Sequence, residues 1–355
     1  MKLGMIGLQN SGKTTIFNTL SNSRAEVTAF SNGKAEPNLA VVDVGDERID
    51  RLSELYLPKK TTYATVELVD FAGMTEGAAK NGNFSAELMA IIKNMDALAL
   101  VVRNFKNNLD EEPTPTEDIE QIDTELLLSD LILVETRLER IEWSDKRNKK
   151  TIAMQLEEKI LLRILEQLNN NEPIRNLKLS EEEKKIIRGF QFLTKKPLVV
   201  ILNSDETGFG KNNELISTIQ EKYDTIEFAG NFEMELSQLS QEDAALFMED
   251  IGIKQSAKNR LTKFVYKILG YISFFTVGSD EVRAWSIRKG QTAVEAAGAI
   301  HTDLTRGFIR AECFTYEDLL KYGSEQAVKE KGLFRLEGKE YIVQDGDTLG
   351  IRFNV

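Results

Sequence analysis

Cysteine and histidine are all but missing: Cys313 and His301 are the only two among 355 residues. One thiol cannot form a disulfide within the chain, and a Cys/His zinc site lacks ligands. A Ser–His–Asp or Cys–His apparatus would have to use His301, and no nucleophile's setting surrounds it. What remains for chemistry is oxygen ligands, lysines and backbone dipoles. Positive charge is also short. Lys and Arg number 45 against 57 Asp and Glu, a formal net charge of −12. Bulk attraction for bare nucleic acid is thereby excluded, so any such contact needs a local basic patch or a protein-rich assembly. Long apolar runs are missing too, since none approaches the roughly 20 residues of a membrane helix. The apolar start, residues 1–8, is too short for a signal peptide and has no small-residue cleavage site. It reads as a buried strand, and the expected location is cytoplasmic with no membrane partner.

The length allows two or three domains. Residues 2–7, 62–69, 97–102 and 198–202 read as strands, the last two as continuous apolar runs buried on both faces. A helix is expected over 14–21. Strands separated by helices give a parallel, doubly wound α/β sheet. Residues 118–160 contain neither Pro nor Gly. Within them Ile119, Ile122, Leu126, Leu131, Val134, Leu138 and Ile141 recur mostly at three- and four-residue steps, the mark of a long amphipathic helix. The charged run from Lys146 to Lys150 is expected to turn, and a second helix to cover 151–168. A coiled-coil arm and a plain helical subdomain both fit this periodicity. After residue 270, short β-rich runs at 272–277 and 282–287, then two strands around an Asp-Gly turn within 341–353, predict a small α+β domain.

The segment Gly7-Leu8-Gln9-Asn10-Ser11-Gly12-Lys13-Thr14 fits G-x-x-x-x-G-K-[ST]. Its glycines let the backbone aim N–H groups at phosphate oxygens, and the helix that follows adds the positive end of its dipole. Lys13 reaches the β- and γ-phosphates, and Thr14 offers a hydroxyl to Mg²⁺. An apolar strand before and an amphipathic helix after supply the context this motif needs. Asp70-Phe71-Ala72-Gly73 follows a strand. Asp70 can hold Mg²⁺ through water, and the backbone N–H of Gly73 can approach a γ-phosphate. Leu202-Asn203-Ser204-Asp205-Glu206 ends the run at 198–202. There, GTPases read guanine with N-K-x-D. The amide of Asn203 can still face a purine, but Glu206 replaces the aspartate and Ser204 the lysine. Guanine selectivity is therefore expected to be weak and adenine acceptable.

These residues, with Ala35-Glu36-Pro37-Asn38, Phe232-Glu233-Met234-Glu235-Leu236, Val282-Arg283-Ala284-Trp285-Ser286-Ile287 and Gly307-Phe308-Ile309-Arg310-Ala311-Glu312, make a pattern over essentially the whole chain. It resembles the YchF/Obg-like ATPase family, in the Obg-related branch of translation-factor GTPases. The resemblance implies a Ras-like P-loop NTPase domain (1–117 and 195–269), an inserted helical coiled-coil arm (118–194) and a C-terminal α+β, ubiquitin-like TGS domain (270–355). It implies Gln9, Asn10, Ser11, Gly12, Lys13, Thr14, Thr15, Asn203, Glu206 and Gly230 as nucleotide-binding residues, with Thr14 and Asp70 toward Mg²⁺. Lys13 and Gly73 would act on the transferring phosphate. The implied activity is hydrolysis of ATP, with GTP tolerated, and the implied partner is the ribosome, bound through its large subunit with rRNA contact by the TGS domain or the arm.

Switch I and the phosphate loop depart from that pattern, and the position after Gly73 departs from Ras-like enzymes. Lys34 stands where the family's switch I has a Mg²⁺-binding Thr, and a charged lysine cannot ligate a cation. The phosphate loop reads Q-N-S-G-K-T in place of P-N-V-G-K-S. Met74 follows Gly73 where Ras-like enzymes place a water-orienting Gln, an apolar choice the family shares. Slow turnover is expected. A nucleotide sensor with little hydrolysis and an Obg-type GTPase in ribosome assembly remain rival readings. Lys263, Lys267, Arg283, Arg288, Lys289, Arg306 and Arg310 are compatible with RNA phosphates or with a solvated surface. Trp285, Phe308, His301 and Cys313 are expected to be structural.

Overall fold

The computed structural model describes residues 1–21, 37–71, 86–107, 110–239, 241–250 and 255–354. The chain opens with β1 (Lys2–Ile6), α1 (Lys13–Ser21), β2 (Asn38–Asp43), α2 (Glu47–Tyr56), β3 (Lys60–Thr62) and β4 (Thr65–Asp70). Next come α3 (Ala86–Lys93), β5 (Ala97–Asn104), α4 (Pro115–Lys146), α5 (Ile152–Asn169) and α6 (Glu181–Ile186). β6 (Leu198–Ser204), α7 (Asn213–Gln220), β7 (Asp224–Phe228), α8 (Gly230–Leu236) and α9 (Gln241–Asp250) follow. The remainder holds α10 (Ala257–Ile268), β8 (Tyr271–Thr276), β9 (Glu281–Arg288), α11 (Ala293–Ile300) and α12 (Thr302–Arg306). It ends with β10 (Phe308–Thr315), α13 (Tyr316–Tyr322), α14 (Glu325–Glu330), β11 (Arg335–Glu337) and β12 (Asp347–Phe353). No helix of the described residues is long and apolar enough to cross a membrane.

Two compact units result, Met1–Ala40 with Glu67–Lys254, and Val41–Val66 with Gln255–Val355. These limits differ from the sequence-based boundaries. Residues 41–66 belong with the C-terminal part because β3 pairs in parallel with β9, Lys60 beside Glu281 through Thr62 beside Arg283. The single strand expected at 62–69 is thus two strands in two different sheets. Residues 255–269 also join the C-terminal unit. There α10 packs against β8 and buries Leu261 and Val265. The arm does not separate from the first unit, because Ile119, Ile122 and Leu126 at the root of α4 share a core with Leu100, Val102 and Val200 of the sheet.

One six-stranded sheet has the order β2-β4-β1-β5-β6-β7. β1 pairs in parallel with β4 and β5, β5 with β6, and β6 with β7. From Ala97 to Val102 no residue is more than 1% exposed, which accounts for the unbroken apolar run. In the arm, Leu127, Val134 and Ile141 lie seven apart and pack with Ile160, Leu161, Ile164 and Leu168 of α5. Such a seven-residue seam is coiled-coil packing, and each fully buried aliphatic side chain contributes about 1.5–3 kcal/mol. Arg137 clamps Glu157 across the seam with two hydrogen bonds of 2.7 and 2.8 Å. α4 starts earlier than the periodicity indicates because Pro115 occupies the first turn, where a missing N–H costs nothing.

The second unit has a mixed sheet in the order β11-β10-β12-β8-β9-β3. α11 closes one face, with Ala293, Ala296 and Ala297 against Phe274, Ile287, Phe308 and Leu349. Small side chains there let the helix approach the aromatic layer. The two strands expected within 341–353 reduce to one. Ile342 makes only an isolated bridge to Thr292. The Asp347 carboxylate accepts bonds from Gln344 N and Tyr341 Oη at 2.8 Å, and Gly346 N donates to Ser273 O at 2.9 Å. Residues 344–347 are thereby pinned as a turn against β8. Trp285 stacks beside Phe274 with Arg283 over its ring at 3.9 Å. Phe308 is 5% exposed, and His301 Nδ1 caps α12 by accepting from Asp303 N. Burial pushes the Cys313 thiol up to about 12, which leaves it without thiolate reactivity.

Candidate functional site

The site grows out of the C-terminal ends of β1, β4, β5 and β6, where an open parallel sheet places its ligands. β1 ends at Ile6 and the chain turns through Gly7 and Gly12 at φ 152° and 86°. Neither turn accepts a side chain. A Cβ on Gly7 would meet the Val101 carbonyl oxygen at 2.4 Å, and one on Gly12 would meet Asn203 Nδ2 at 2.1 Å. Gln9 and Asn10 are exposed at the loop's tip, while Ser11 and Lys13 are buried.

Lys13 is curled back on its own loop, with Nζ donating to the Leu8 carbonyl at 2.8 Å. Burial lowers its pKa to about 8, opposed by the nearby charge of Asp70. Asp70 stands beside Met5 in the β1–β4 register. Its Oδ2 accepts from Thr14 Oγ1 at 2.9 Å and from Asn38 Nδ2 at 3.3 Å. Burial raises its pKa, with Thr14, Asn38 and Lys13 pulling the other way. Its second oxygen, Oδ1, is buried without a hydrogen-bond partner among the described residues, and so is Ser11 Oγ. Buried polar atoms are rarely left unpaired. Two of them converge on one phosphate-type loop.

Asn203 is buried and occupied on both sides. Its Nδ2 donates to the Ser11 carbonyl and its Oδ1 accepts from Gly230 N, each at 3.1 Å. Gly230 is thus brought to the site by the end of β7. Beside Asn203 lies a cleft of about 280 Å³ lined by Phe105, Lys106, Asn203, Ser204, Asp205 and Asn231. Glu206 is exposed and is not among the lining residues. Asp205 folds over its own turn, accepting from Thr207 Oγ1 at 2.8 Å and Gly208 N at 2.6 Å. Ser204 donates to Glu227 at 2.6 Å, and Asn104 donates to Ser204 at 2.9 Å, so the loop is backed by polar side chains in place of a lysine stem.

Gly73, Met74 and Lys34 lie outside the described residues. Phe105, Lys106 and Asn231, which no motif marks, come to the site, and Asn38 joins them. Phe105 and Lys106 follow a strand that reads only as core, and their signal was their position just beyond its end. Asn231 adjoins Gly230, and Asn38 ends the quoted Ala35-Glu36-Pro37-Asn38 stretch.

Residues 2–137 match the family described as 50S ribosome-binding GTPase. Residues 271–354 match the YchF GTPase C-terminal family, described as a protein of unknown function. The ribosome-binding ATPase YchF of Bacillus subtilis (strain 168) is 38% identical over 363 aligned residues, covering 99% of each chain. That of Escherichia coli O157:H7 is 39% identical over 363, covering 100% of this chain and 99% of its own. The solved Schizosaccharomyces pombe YchF GTPase is similar at a TM-score of 0.84 and 31% identity, over 99% of this chain and 97% of that one. With the strand order, the phosphate loop and the whole-length similarity in agreement, this chain belongs to the YchF family of P-loop NTPases.

Proposed function

We propose that the protein binds ATP with Mg²⁺ in the loop of residues 7–14, tolerates GTP, hydrolyses the nucleotide slowly and acts in the cytoplasm as a nucleotide-dependent switch on the ribosome. The observation that carries the binding site is the convergence of Lys13, Ser11 Oγ, Thr14 and Asp70 Oδ1, two of them buried orphans, at the end of β1. A triphosphate gives Ser11 Oγ and the loop's N–H groups their acceptors. It also draws Lys13 off the Leu8 carbonyl toward the β- and γ-phosphates. Gln9, Asn10, Gly12 and Thr15 complete the loop around the phosphates.

Thr14 and Asp70 are the residues that would hold Mg²⁺. An all-oxygen donor pair with one carboxylate oxygen still free suits a hard cation. Among the described residues no group of three or more His, Cys, Asp or Glu could hold a metal alone, consistent with an ion shared with the nucleotide. When bound, Mg²⁺ neutralises phosphate charge. The remaining work falls to Lys13 and to the backbone N–H of Gly73, which we assign to the γ-phosphate from the D-x-x-G sequence. Met74 cannot orient water by hydrogen bonding, which is why turnover is slow.

The purine belongs in the cleft beside Asn203, where Phe105 offers a ring and Asn231 a polar edge. Glu206 stands exposed in the place of the guanine-reading aspartate, so ATP is preferred. Competition between ATP and GTP for a fluorescent nucleotide tests this. Tighter GTP binding would favour the Obg-type GTPase. Multiple-turnover phosphate release with and without ribosomes tests the switch. No release in either condition would favour a sensor, the reading that Lys34 and Met74 support. The ribosomal partner and its large subunit are carried over from the names of the relatives and of the N-terminal family. Co-sedimentation with separated subunits tests that assignment.

A further inference from the structure

The far end of the arm differs from the rest of this acidic chain. Lys146, Arg147, Lys149 and Lys150 put four cations into five positions. Lys146 is neutralised by Glu142 at 2.6 Å. Lys150 is held by Glu158 at 2.8 Å and Asp145 at 3.4 Å. Arg147 and Lys149 have no carboxylate within ion-pair distance among the described residues. Arg147 instead lies over the Trp143 ring, 5.6 Å from its centroid. Trp143 remains 61% exposed. It sits two positions beyond Ile141, the last residue of the seam, so it is turned about 200° away from α5 packing. Its exposure is therefore not a by-product of the arm's core. Ile152, 78% exposed, is a second uncovered apolar side chain near the turn between the two helices.

An exposed aromatic ring beside unpaired cations is the pairing that takes up single-stranded nucleic acid. The ring accepts the face of a base and the cations track the backbone phosphates. Double-stranded RNA offers no free base faces to stack on. Local positive charge is also a route by which a chain of net charge −12 can approach RNA. We propose that the tip of the arm, Trp143 with Arg147 and Lys149, docks single-stranded RNA, as in an unpaired loop of ribosomal RNA. Its setting on the ribosome rests on the function proposed above; the stacking site does not.

Only Trp143 and Trp285 contribute indole emission, and the full-length Trp285→Phe variant isolates the former. Adding an oligouridylate of about ten nucleotides should quench Trp143 saturably, while a duplex RNA of equal length should not. If Trp285→Phe does not fold, the difference between the wild type and Trp143→Phe reads the same signal. Trp143→Ala should weaken oligouridylate binding about five- to hundredfold. The double variant Arg147→Ala/Lys149→Ala should flatten the salt dependence, lowering the log–log slope by about one to one and a half. Absence of quenching overturns the proposal. So does loss of ribosome co-sedimentation in Trp143→Ala without any quenching by RNA, which assigns the tip to a protein partner. If the wild type fails to co-sediment with ribosomes while quenching persists, the ribosomal reading falls and the stacking site stands.

Discussion

The side chain of Asn203 ties the end of β6 to the phosphate loop, donating to the carbonyl oxygen of Ser11 at 3.1 Å across 192 residues of sequence. The same amide holds Gly230 N. One side chain therefore sets the distance between the loop that grips phosphates and the cleft beside it. Asn203→Ala leaves the Ser11 carbonyl and the Gly230 amide without this partner in a buried setting. The expected loss is about 1–3 kcal/mol in nucleotide binding, together with a lower melting temperature. Asn203→Asp sets a carboxylate oxygen against the Ser11 carbonyl and should lose more. Titration with a fluorescent nucleotide checks both, and unchanged affinity in Asn203→Ala would remove the amide from the site.

Lys13 gives the site a pH signature. Its pKa in the free protein is lowered to about 8, and polyphosphate beside the ammonium must raise it. Below about 8 the lysine is charged in both states and affinity is flat. Above it the free protein has lost a proton that the complex retains, so binding takes up a proton and affinity falls toward tenfold per unit until the complex itself titrates. Calorimetry at pH 9 in buffers of different ionisation enthalpy should report this uptake. Asp70→Asn removes the charge that raises the Lys13 pKa and should move the break to lower pH.

Asp70→Asn also separates folding from metal binding. One oxygen remains to accept from Thr14 and Asn38, so the fold should persist. The anionic partner of the cation is gone, and the apparent Mg²⁺ affinity of the nucleotide complex should weaken about 10–100-fold. Nucleotide titration at graded Mg²⁺ concentrations reads the change. An unaltered Mg²⁺ dependence would place the metal elsewhere.

At the root of the arm, Asp130 is 1% exposed and accepts from Leu193 N, Thr194 N and Thr194 Oγ1 at 2.9, 2.8 and 2.7 Å. Removing it strands three buried donors. Asp130→Ala should destabilise by about 2–4 kcal/mol, and Asp130→Asn by less because one acceptor oxygen survives. Chemical denaturation monitors both. Nucleotide affinity should change little where the protein remains folded, since Asp130 lies outside the phosphate loop.

Sequence pattern reveals most of what is locally encoded. Leu198 to Leu202 and Ala97 to Val102 are apolar at every position because both faces are covered. The spacing from Gly7 to Thr14 is legible because the turn itself demands those glycines. What stays hidden depends on residues brought from far away. Lys60 to Thr62 has no apolar run to announce a strand, because its partner β9 supplies the pairing. Phe105 and Asn231 acquire meaning only when β5 and β7 deposit them at one cleft. At 344–347 the Asp-Gly pair alone favours a hairpin. Asp347, buried and bonded to Tyr341 and Gln344, holds it otherwise. Glu206 was legible as a departure from N-K-x-D, but its exposure depends on how residues 205–208 turn.

The pairing of β3 with β9 has a consequence for how the protein is made. Thr62 and its hydrogen-bond partner Glu281 are separated by 219 residues. At a synthesis rate of about 5–20 residues per second, β3 emerges some ten to forty seconds before the strand that completes its ladder. During that interval α2 waits as well, with Ile49 and Leu52, buried in the finished unit, still uncovered. A nascent chain arrested before residue 281 carries an orphaned strand and an apolar helix face, the two features that invite aggregation. Conversely, a fragment begun at residue 270 lacks both elements and should not reproduce the C-terminal unit. The sheet that β9 joins cannot be completed without a strand translated some 219 residues earlier.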